Sequence, residues 1–206
     1  LIESQGYLWM PGFGLNQQIL TLSGRDAKAL LHDEKRRPMR EALAHILEGL
    51  SPTPSRPHPH PQLAMRWAIA LDWLAEGERE INEAIALTKI GTSLDVLTEG
   101  GKFGGILDML THLTGWKEDT EFRVGANHRD LRSLVKELYD HGRSKILHGN
   151  VVDRLRSYAE IRKVGAMLAR IALIECALRL KHYTDADTSK AFRNMPEPAQ
   201  DPEGIK

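Results

Sequence analysis

Apolar residues recur every three or four positions through most of the chain after residue 60, which is the period of an amphipathic helix. The pattern predicts helices that start near Leu63, near Glu78, near Ile106 and at Asp130, and a long last helix with Asp153 as its N-cap. The expected core positions are Leu63, Trp67, Leu71, Leu74, Leu87, Ile90, Leu94, Leu97, Leu134, Leu138, Ile161, Leu168 and Ile171. Since no segment shows a convincing strand alternation, we predict an all-α antiparallel bundle of four to five helices.

The first 60 residues give a weaker pattern. Residues 26–50 read as helical, with Pro38 required to start or kink the helix. Its core candidates are Leu30, Leu31, Leu43, Ile46 and Leu47. The proline-rich SPTPSRPHPHPQ follows, at 51–62. We therefore expect residues 1–60 to be a partly helical N-terminal extension, or a remnant of a preceding element, that ends in a linker. A helical domain at 61–183 and a flexible polar tail at 184–206 complete the expected organisation.

Composition excludes some functions. The chain of 206 residues has 28 Lys plus Arg and 28 Asp plus Glu, so its net charge names no polyanion or membrane partner. Its single cysteine, Cys176, excludes an internal disulfide and fits a reducing cytoplasm. No apolar run is long enough to span a membrane. His58 and His60 have no cysteine or carboxylate close in sequence, so we expect a solvated loop there, no metal site and no cofactor.

Charge is nevertheless uneven. Between Arg123 and Arg170 eleven Lys or Arg face five acidic residues, a local charge of +6 that surrounds the stretch LYDHGRSKILHGN at 138–150. If that stretch is helical, Arg143 and His148 lie roughly 140° apart around the axis and about 7.5 Å apart along it. They converge most easily beside a groove or a second subunit. On spacing alone, a helix end decorated with cations is an equal alternative.

The wording of the stretch goes further than the spacing. Leu138-Tyr139 followed by RSKILHG resembles the Arg-x(4–6)-His signature of HEPN domains, in the Apea-like branch. The upstream segment INEAIALTKIGTSLDVL is similar to a helix of that branch, with Leu94-Asp95 where a Leu-Glu pair is usual. The resemblance covers about residues 61–183. It implies a small HEPN-like helical domain that dimerises so that two motifs face one cleft, often as a metal-independent endoribonuclease in toxin–antitoxin or anti-phage systems.

The residue types suit that chemistry. A histidine can take up the 2′-hydroxyl proton of RNA near neutral pH, which is the role the resemblance implies for His148. An arginine can bind the charge that develops on the phosphoryl oxygens, which is the role implied for Arg143. Ser144, Lys145, Tyr139 and Asp95 are the supporting or RNA-binding candidates. For Asp95, a solvated helix face is favoured over a carboxylate beside the apolar stripe that orients a basic group.

Two function classes therefore stay open. The first is an RNA-cleaving enzyme with a site shared by a homodimer. The second is a non-catalytic module that binds RNA or a nucleotide, or that serves as the dimerising or sensing domain of a larger defence protein. RNA, a second copy of the chain, and an antitoxin or further domain are the expected partners. A purely structural helical domain is the least favoured interpretation.

Overall fold

The computed structural model describes residues 2–4, 7–9, 28–29, 32–53, 55–140 and 157–197. Within these ranges the chain is mainly helical, as the periodicity predicted. The α-helices are α1 (Arg37–Leu50), α2 (Pro61–Arg79), α3 (Glu83–Leu97), α4 (Lys102–Thr114), α5 (Leu131–Tyr139) and α6 (Ala159–Leu180), with one-turn 3-10 helices at Glu34–Arg36 and Ala191–Arg193. Two antiparallel hairpins pair β1 (Ile2–Ser4) with β2 (Tyr7–Trp9) and β3 (Glu121–Val124) with β4 (Asn127–Asp130).

Helices α2 and α3 form an antiparallel pair. Sequence predicted that the second helix would begin near Glu78, but the chain breaks after Arg79 because Asn82 caps α3 by accepting hydrogen bonds from the N–H groups of Ala84 and Ile85. Farther along, Ser93 Oγ donates to the carbonyl of Ala70 at 2.7 Å. The two helices thus lie side by side over most of their length.

Helix α6 packs against α1, α2, α3, α4 and α5. Trp67 of α2 is buried, and its Nε1 donates to the carbonyl of Leu173 at 2.7 Å. At the other end of α2, Arg162 donates to the carbonyls of Gly77 and Glu78. These contacts set α2 and α6 antiparallel and satisfy the polar atoms that their packing would otherwise leave without partners.

Most predicted core positions are buried. Leu94, Leu97, Leu134, Leu138, Ile161 and Leu168 are all inside, whereas Ile171 is only partly buried. Leu71, at 41% exposure, was wrongly placed in the core.

The prediction for α1 was also partly wrong. This helix buries Ala42, Ile46 and Gly49, and leaves Leu43 and Leu47 exposed. Each exposed leucine lies one residue, about 100°, beyond a buried one, so the apolar stripe was assigned to the wrong side. Pro38 stands in the first turn, as predicted for a helix start. Leu30 and Leu31 lie outside the described residues.

The segment before α2 belongs to the same core as the helices after it, because Ala42 and Ile46 join the main apolar cluster. The expectation of a solvated histidine loop is wrong for His60, which is 2% exposed. Its Nε2 lies 2.9 Å from the carbonyl oxygen of Asp185. A partner 125 residues away leaves no trace in local sequence pattern.

The flexible tail predicted from Thr184 is instead packed on the bundle as far as Met195. Phe192 and Met195 are buried. Asp187 caps α2 by accepting from the N–H groups of Gln62 and Leu63, and Arg193 donates to the carbonyl of Thr98 at the end of α3. Two apolar residues and two helix-end contacts outweigh the polar, proline-bearing composition on which the prediction rested.

We expect Leu94→Ala to lower the free energy of unfolding by about 2–5 kcal/mol, because it removes a fully buried side chain from a close-packed site. Leu47→Ala makes the same chemical change at a side chain that is 65% exposed, and should change stability by less than about 0.5 kcal/mol. Urea denaturation followed by circular dichroism measures both. Equal losses in the two variants would contradict the packing described above.

Candidate functional site

The central residues of the predicted site, Arg143, Ser144, Lys145 and His148, fall in 141–156, outside the described residues. Their mutual geometry therefore stays a prediction. The structure describes the two chain segments that lead into and out of this stretch, and the helices against which those segments pack.

Helix α5 leads into the stretch. Asp130 caps it by accepting from the N–H of Ser133 at 2.7 Å, and this hydrogen bond holds the pKa of the Asp130 carboxyl below its usual value. The apolar face of α5 is buried, and Tyr139, a predicted supporting residue, lies half-buried in its last turn against the core. Helix α5, which leads into the motif stretch, is thus firmly attached to the bundle.

A glycine on α6 sets the position of α5. A Cβ added to Gly165 would lie 2.5 Å from Leu138 Cδ2 and 3.4 Å from Ile90 Cγ2 of α3. A real Cβ needs more room than this, so the Leu138 side chain occupies the space that a side chain at residue 165 would need. Leu138 directly precedes Tyr139. The packing of the Leu138 side chain against Gly165 therefore positions the start of the motif stretch.

Asp95 corrects an expectation. We predicted a solvated face, but the residue is 4% exposed, near the end of α3. The reason is that α3 is buried on nearly every side, so positions off its apolar stripe are covered as well. A carboxylate withdrawn from water is stabilised by polar or charged neighbours. The alternative role for Asp95, orienting a basic group, remains a prediction.

After the stretch the described chain resumes at the start of α6, where a carboxylate from α3 accepts two hydrogen bonds from it. Glu83 Oε2 accepts from the N–H of Tyr158 at 2.6 Å and from Ser157 Oγ at 3.0 Å. The two hydrogen bonds lower the pKa of Glu83, with the Tyr158 N–H first in importance. The ionised carboxylate also lies at the N-terminus of α6, where a negative charge is favourable.

A cavity of about 690 Å³ opens beside this junction. Its lining comprises Ala75, Glu78, Arg79, Glu83, Ala159, Arg162, Lys163, Ala166 and Arg170. The cations there already have partners: Arg170 pairs with Glu78 at 2.7 Å, Lys163 with Glu160 at 2.7 Å and Arg79 with Glu76 at 3.4 Å. Arg162 is bound to the α2 carbonyls described above. The cavity wall therefore carries little uncompensated positive charge.

Half of the predicted basic excess belongs to residues outside the described ranges. Stretch 141–156 holds four Lys or Arg and one Asp, which is half of the +6 counted between Arg123 and Arg170. On the described side, Lys136 pairs with Asp140, Arg132 with Glu118 and Arg129 with Glu137. Any polyanion-binding surface in this region would depend mainly on residues 143–156.

Two further properties concern only the described part of the chain. No group of three His, Cys, Asp or Glu side chains is placed there to bind a metal ion. Among the helices that the structure describes, none has the length and apolar content to cross a membrane.

Burial raises the pKa of the Cys176 thiol, which keeps it protonated and unreactive.

The chain was compared with protein families, curated proteins and solved structures, and no protein-family model, curated protein or solved structure matches it.

Sequence reasoning missed the residues that hold the ends of the motif stretch. Glu83 accepts hydrogen bonds from Ser157 and Tyr158, which lie 74 and 75 positions further along the chain. Gly165 of α6 packs against Leu138 of α5. No local spacing signals such contacts. Gly165 had one weak signal, namely a glycine inside an otherwise strong helical pattern, which usually has a packing reason.

We expect Gly165→Ala to destabilise the protein by about 1–3 kcal/mol, because the new methyl group must displace Leu138 and with it the end of α5. Gly104→Ala is the matched control. It lies in helix α4 with open space around the added Cβ, and should stabilise the protein by about 0.4–1 kcal/mol. Thermal unfolding of both variants measures this difference. A stable Gly165→Ala protein would show that α5 is not seated as described.

Proposed function

We propose that the protein is a metal-independent endoribonuclease of HEPN type that acts in the cytoplasm, in a toxin–antitoxin or anti-phage role, with Arg143 and His148 as its catalytic pair. The observation that carries the proposal is the sequence RSKILHG directly after Leu138-Tyr139. A mainly helical fold is compatible with it, and so is the place of Tyr139 at the end of a well-anchored helix.

The chemistry requires two groups. The RNA 2′-hydroxyl attacks the adjacent phosphorus after losing its proton, and the 5′-oxygen of the next nucleotide leaves with a proton. His148 is proposed to take up the proton of the 2′-hydroxyl, since imidazole changes charge near neutral pH. Arg143 is proposed to bind the phosphoryl oxygens through its forked guanidinium. Lys145 adds positive charge, and Ser144 offers a hydrogen bond to a phosphate oxygen.

We expect Arg143→Ala and His148→Ala each to slow RNA cleavage by about 10²- to 10³-fold, equivalent to about 2–4 kcal/mol of transition-state stabilisation. The double variant should lose far less than the product of the two losses, because both groups act on one transition state. Cleavage should persist in EDTA and yield 2′,3′-cyclic phosphate and 5′-hydroxyl ends. Gel analysis of an end-labelled RNA, with a 2′-deoxy substitution at the cut site, measures all of these.

The control is Arg37→Ala, which removes an exposed cation from the start of α1. It should cleave as the wild type does. If the wild type binds RNA without cutting it, while Arg143→Ala weakens binding and His148→Ala does not, the non-catalytic binding module replaces the nuclease.

The proposal also includes a homodimer whose two motif helices face one cleft. The protein should then behave as a dimer at micromolar concentration in light scattering coupled to size-exclusion chromatography. A cysteine placed at an exposed motif-helix position, Lys136→Cys, should cross-link more efficiently to its partner copy than Lys117→Cys, which lies before the β3–β4 hairpin. A strict monomer would argue against the shared cleft.

A further inference from the structure

Three histidines meet where α1, the start of α2 and the C-terminal segment converge. The rings of His45 and His58 are 4.3 Å apart between centroids, and those of His58 and His60 are 6.3 Å apart. His60 also lies 5.1 Å from the ring of Tyr183. His60 is buried, and the other two histidines are half-buried. This histidine cluster is therefore a small, partly buried site between three segments of the chain.

Hydrogen bonds restrict the protons of the cluster. The backbone N–H of His60 donates to Nδ1 of His58 at 3.1 Å, so this nitrogen must present a lone pair. The remaining proton of a neutral His58 is then on Nε2, which faces Nδ1 of His45 at 3.4 Å. His45 must accept there and carry its own proton on Nε2. On the other side, Nε2 of His60 donates to the carbonyl of Asp185. One set of neutral tautomers satisfies these contacts.

A further proton on His45 or His58 breaks this arrangement. Protonation of His58 at Nδ1 turns an N–H group toward the N–H of His60. Protonation of His45 at Nδ1 turns an N–H group toward that of His58. In either case a hydrogen bond is replaced by two facing donors, in a place that is partly withdrawn from water.

The charged groups around the cluster act in both directions. Among the described residues, Glu48 of α1 and Asp187 of the C-terminal segment favour the protonated rings, whereas Lys181 and the neighbouring histidines oppose them. Burial is the largest effect, and it lowers the pKa of both His45 and His58. Docked His45 and His58 therefore prefer to be neutral.

The helix that the cluster attaches is only lightly docked. Helix α1 buries Ala42, Ile46 and Gly49, whereas α3 buries residues on nearly all its sides. Near its start, Glu41 is bonded to Lys181, which lowers the Glu41 pKa to about 2, so this ion pair persists in mild acid. Near its end, Gly49 is so close to His58 that an added Cβ would lie 2.9 Å from the ring. The histidine cluster is thus the acid-labile part of the α1 attachment.

We propose that the histidine cluster makes the docking of α1 sensitive to acid, so that α1 leaves the bundle in mild acid while helices α2–α6 stay folded. When undocked, His45 and His58 take up protons near the ordinary histidine pKa of about 6.5, and when docked they do so only at lower pH. Docking is therefore fully stable above about pH 6.5 and weakens as the pH falls below that value. At about pH 5, His45 and His58, if they stay neutral when docked, each shift the docking equilibrium toward the undocked state by up to about 30-fold.

Hydrogen exchange followed by mass spectrometry on the full chain tests this directly. Protection factors correct for the effect of pH on the exchange chemistry. Between about pH 7.5 and about pH 5, where histidine is the main titrating side chain, peptides from α1 should lose protection by at least about tenfold. Peptides from α3 should keep theirs. Loss of protection in α1 and α3 together, or in neither, would overturn the proposal.

Variants separate the cluster from general acid sensitivity. His58→Gln keeps an acceptor and a donor but takes up no proton, so the α1 response to acid should shrink by about the share of one histidine. His45→Gln should act similarly and serves as the second variant if His58→Gln fails to fold. His128→Gln removes an exposed histidine from β4 and should leave the response unchanged. An acid response in both cluster variants equal to that of the wild type would also overturn the proposal.

Discussion

The enclosure of α3 is the constraint on which the rest of the structure depends. Its buried residues lie on almost every side of the helix and include Thr88, Ser93 and Asp95 as well as the apolar stripe. A helix this deeply buried must satisfy its polar side chains inside the protein. Ser93 donates to the α2 carbonyl of Ala70, and Thr88 donates to its own helix at Ala84. Helices α2, α4, α5 and α6 are arranged around α3 so that few of its positions reach water.

Glycines make that arrangement close enough. A Cβ at Gly77 of α2 would lie 2.8 Å from the Ile90 side chain, and one at Gly165 of α6 would lie 3.4 Å from the same residue. Ile90 thus projects between two neighbouring helices at positions where neither has a side chain. Close packing of this kind strengthens dispersion contacts, and leaves little room for substitution. Gly165 also contacts Leu138 of α5. The packing around α3 therefore includes the helix that leads into the motif stretch.

Much of the fold could be read from the sequence because helical periodicity is a local property. Leu94, Leu134 and Leu168 were placed correctly on this ground. The errors at His60, at Asp95 and in the C-terminal segment have a common physical origin, since each depends on partners far along the chain. His60 is buried and bonds a carbonyl 125 residues away, and Asp95 is covered by the helices that enclose α3 on nearly every side. The two short hairpins offered too few residues to show an alternating pattern.

The candidate site divides in the same way. Sequence supplied the proposed catalytic pair and the roles of its members, because a motif is local. It gave no hint that Glu83 and Gly165 hold the ends of the stretch, since these act across the fold. Nor did it show that the nearby cations at Arg79, Lys163 and Arg170 are paired with carboxylates.

That pairing restricts where RNA affinity can come from. Exposed ion pairs contribute little to stability, but they cancel the positive charge that would attract a phosphate. A phosphate that binds at the cavity wall would therefore have to displace Glu78 or Glu160 from its cationic partner. Stretch 141–156 has four cations and one acid, which is a net charge of +3 by composition. If RNA binds this protein as proposed, the stretch that supplies Arg143 and His148 must also supply most of the charge that brings the phosphate to them.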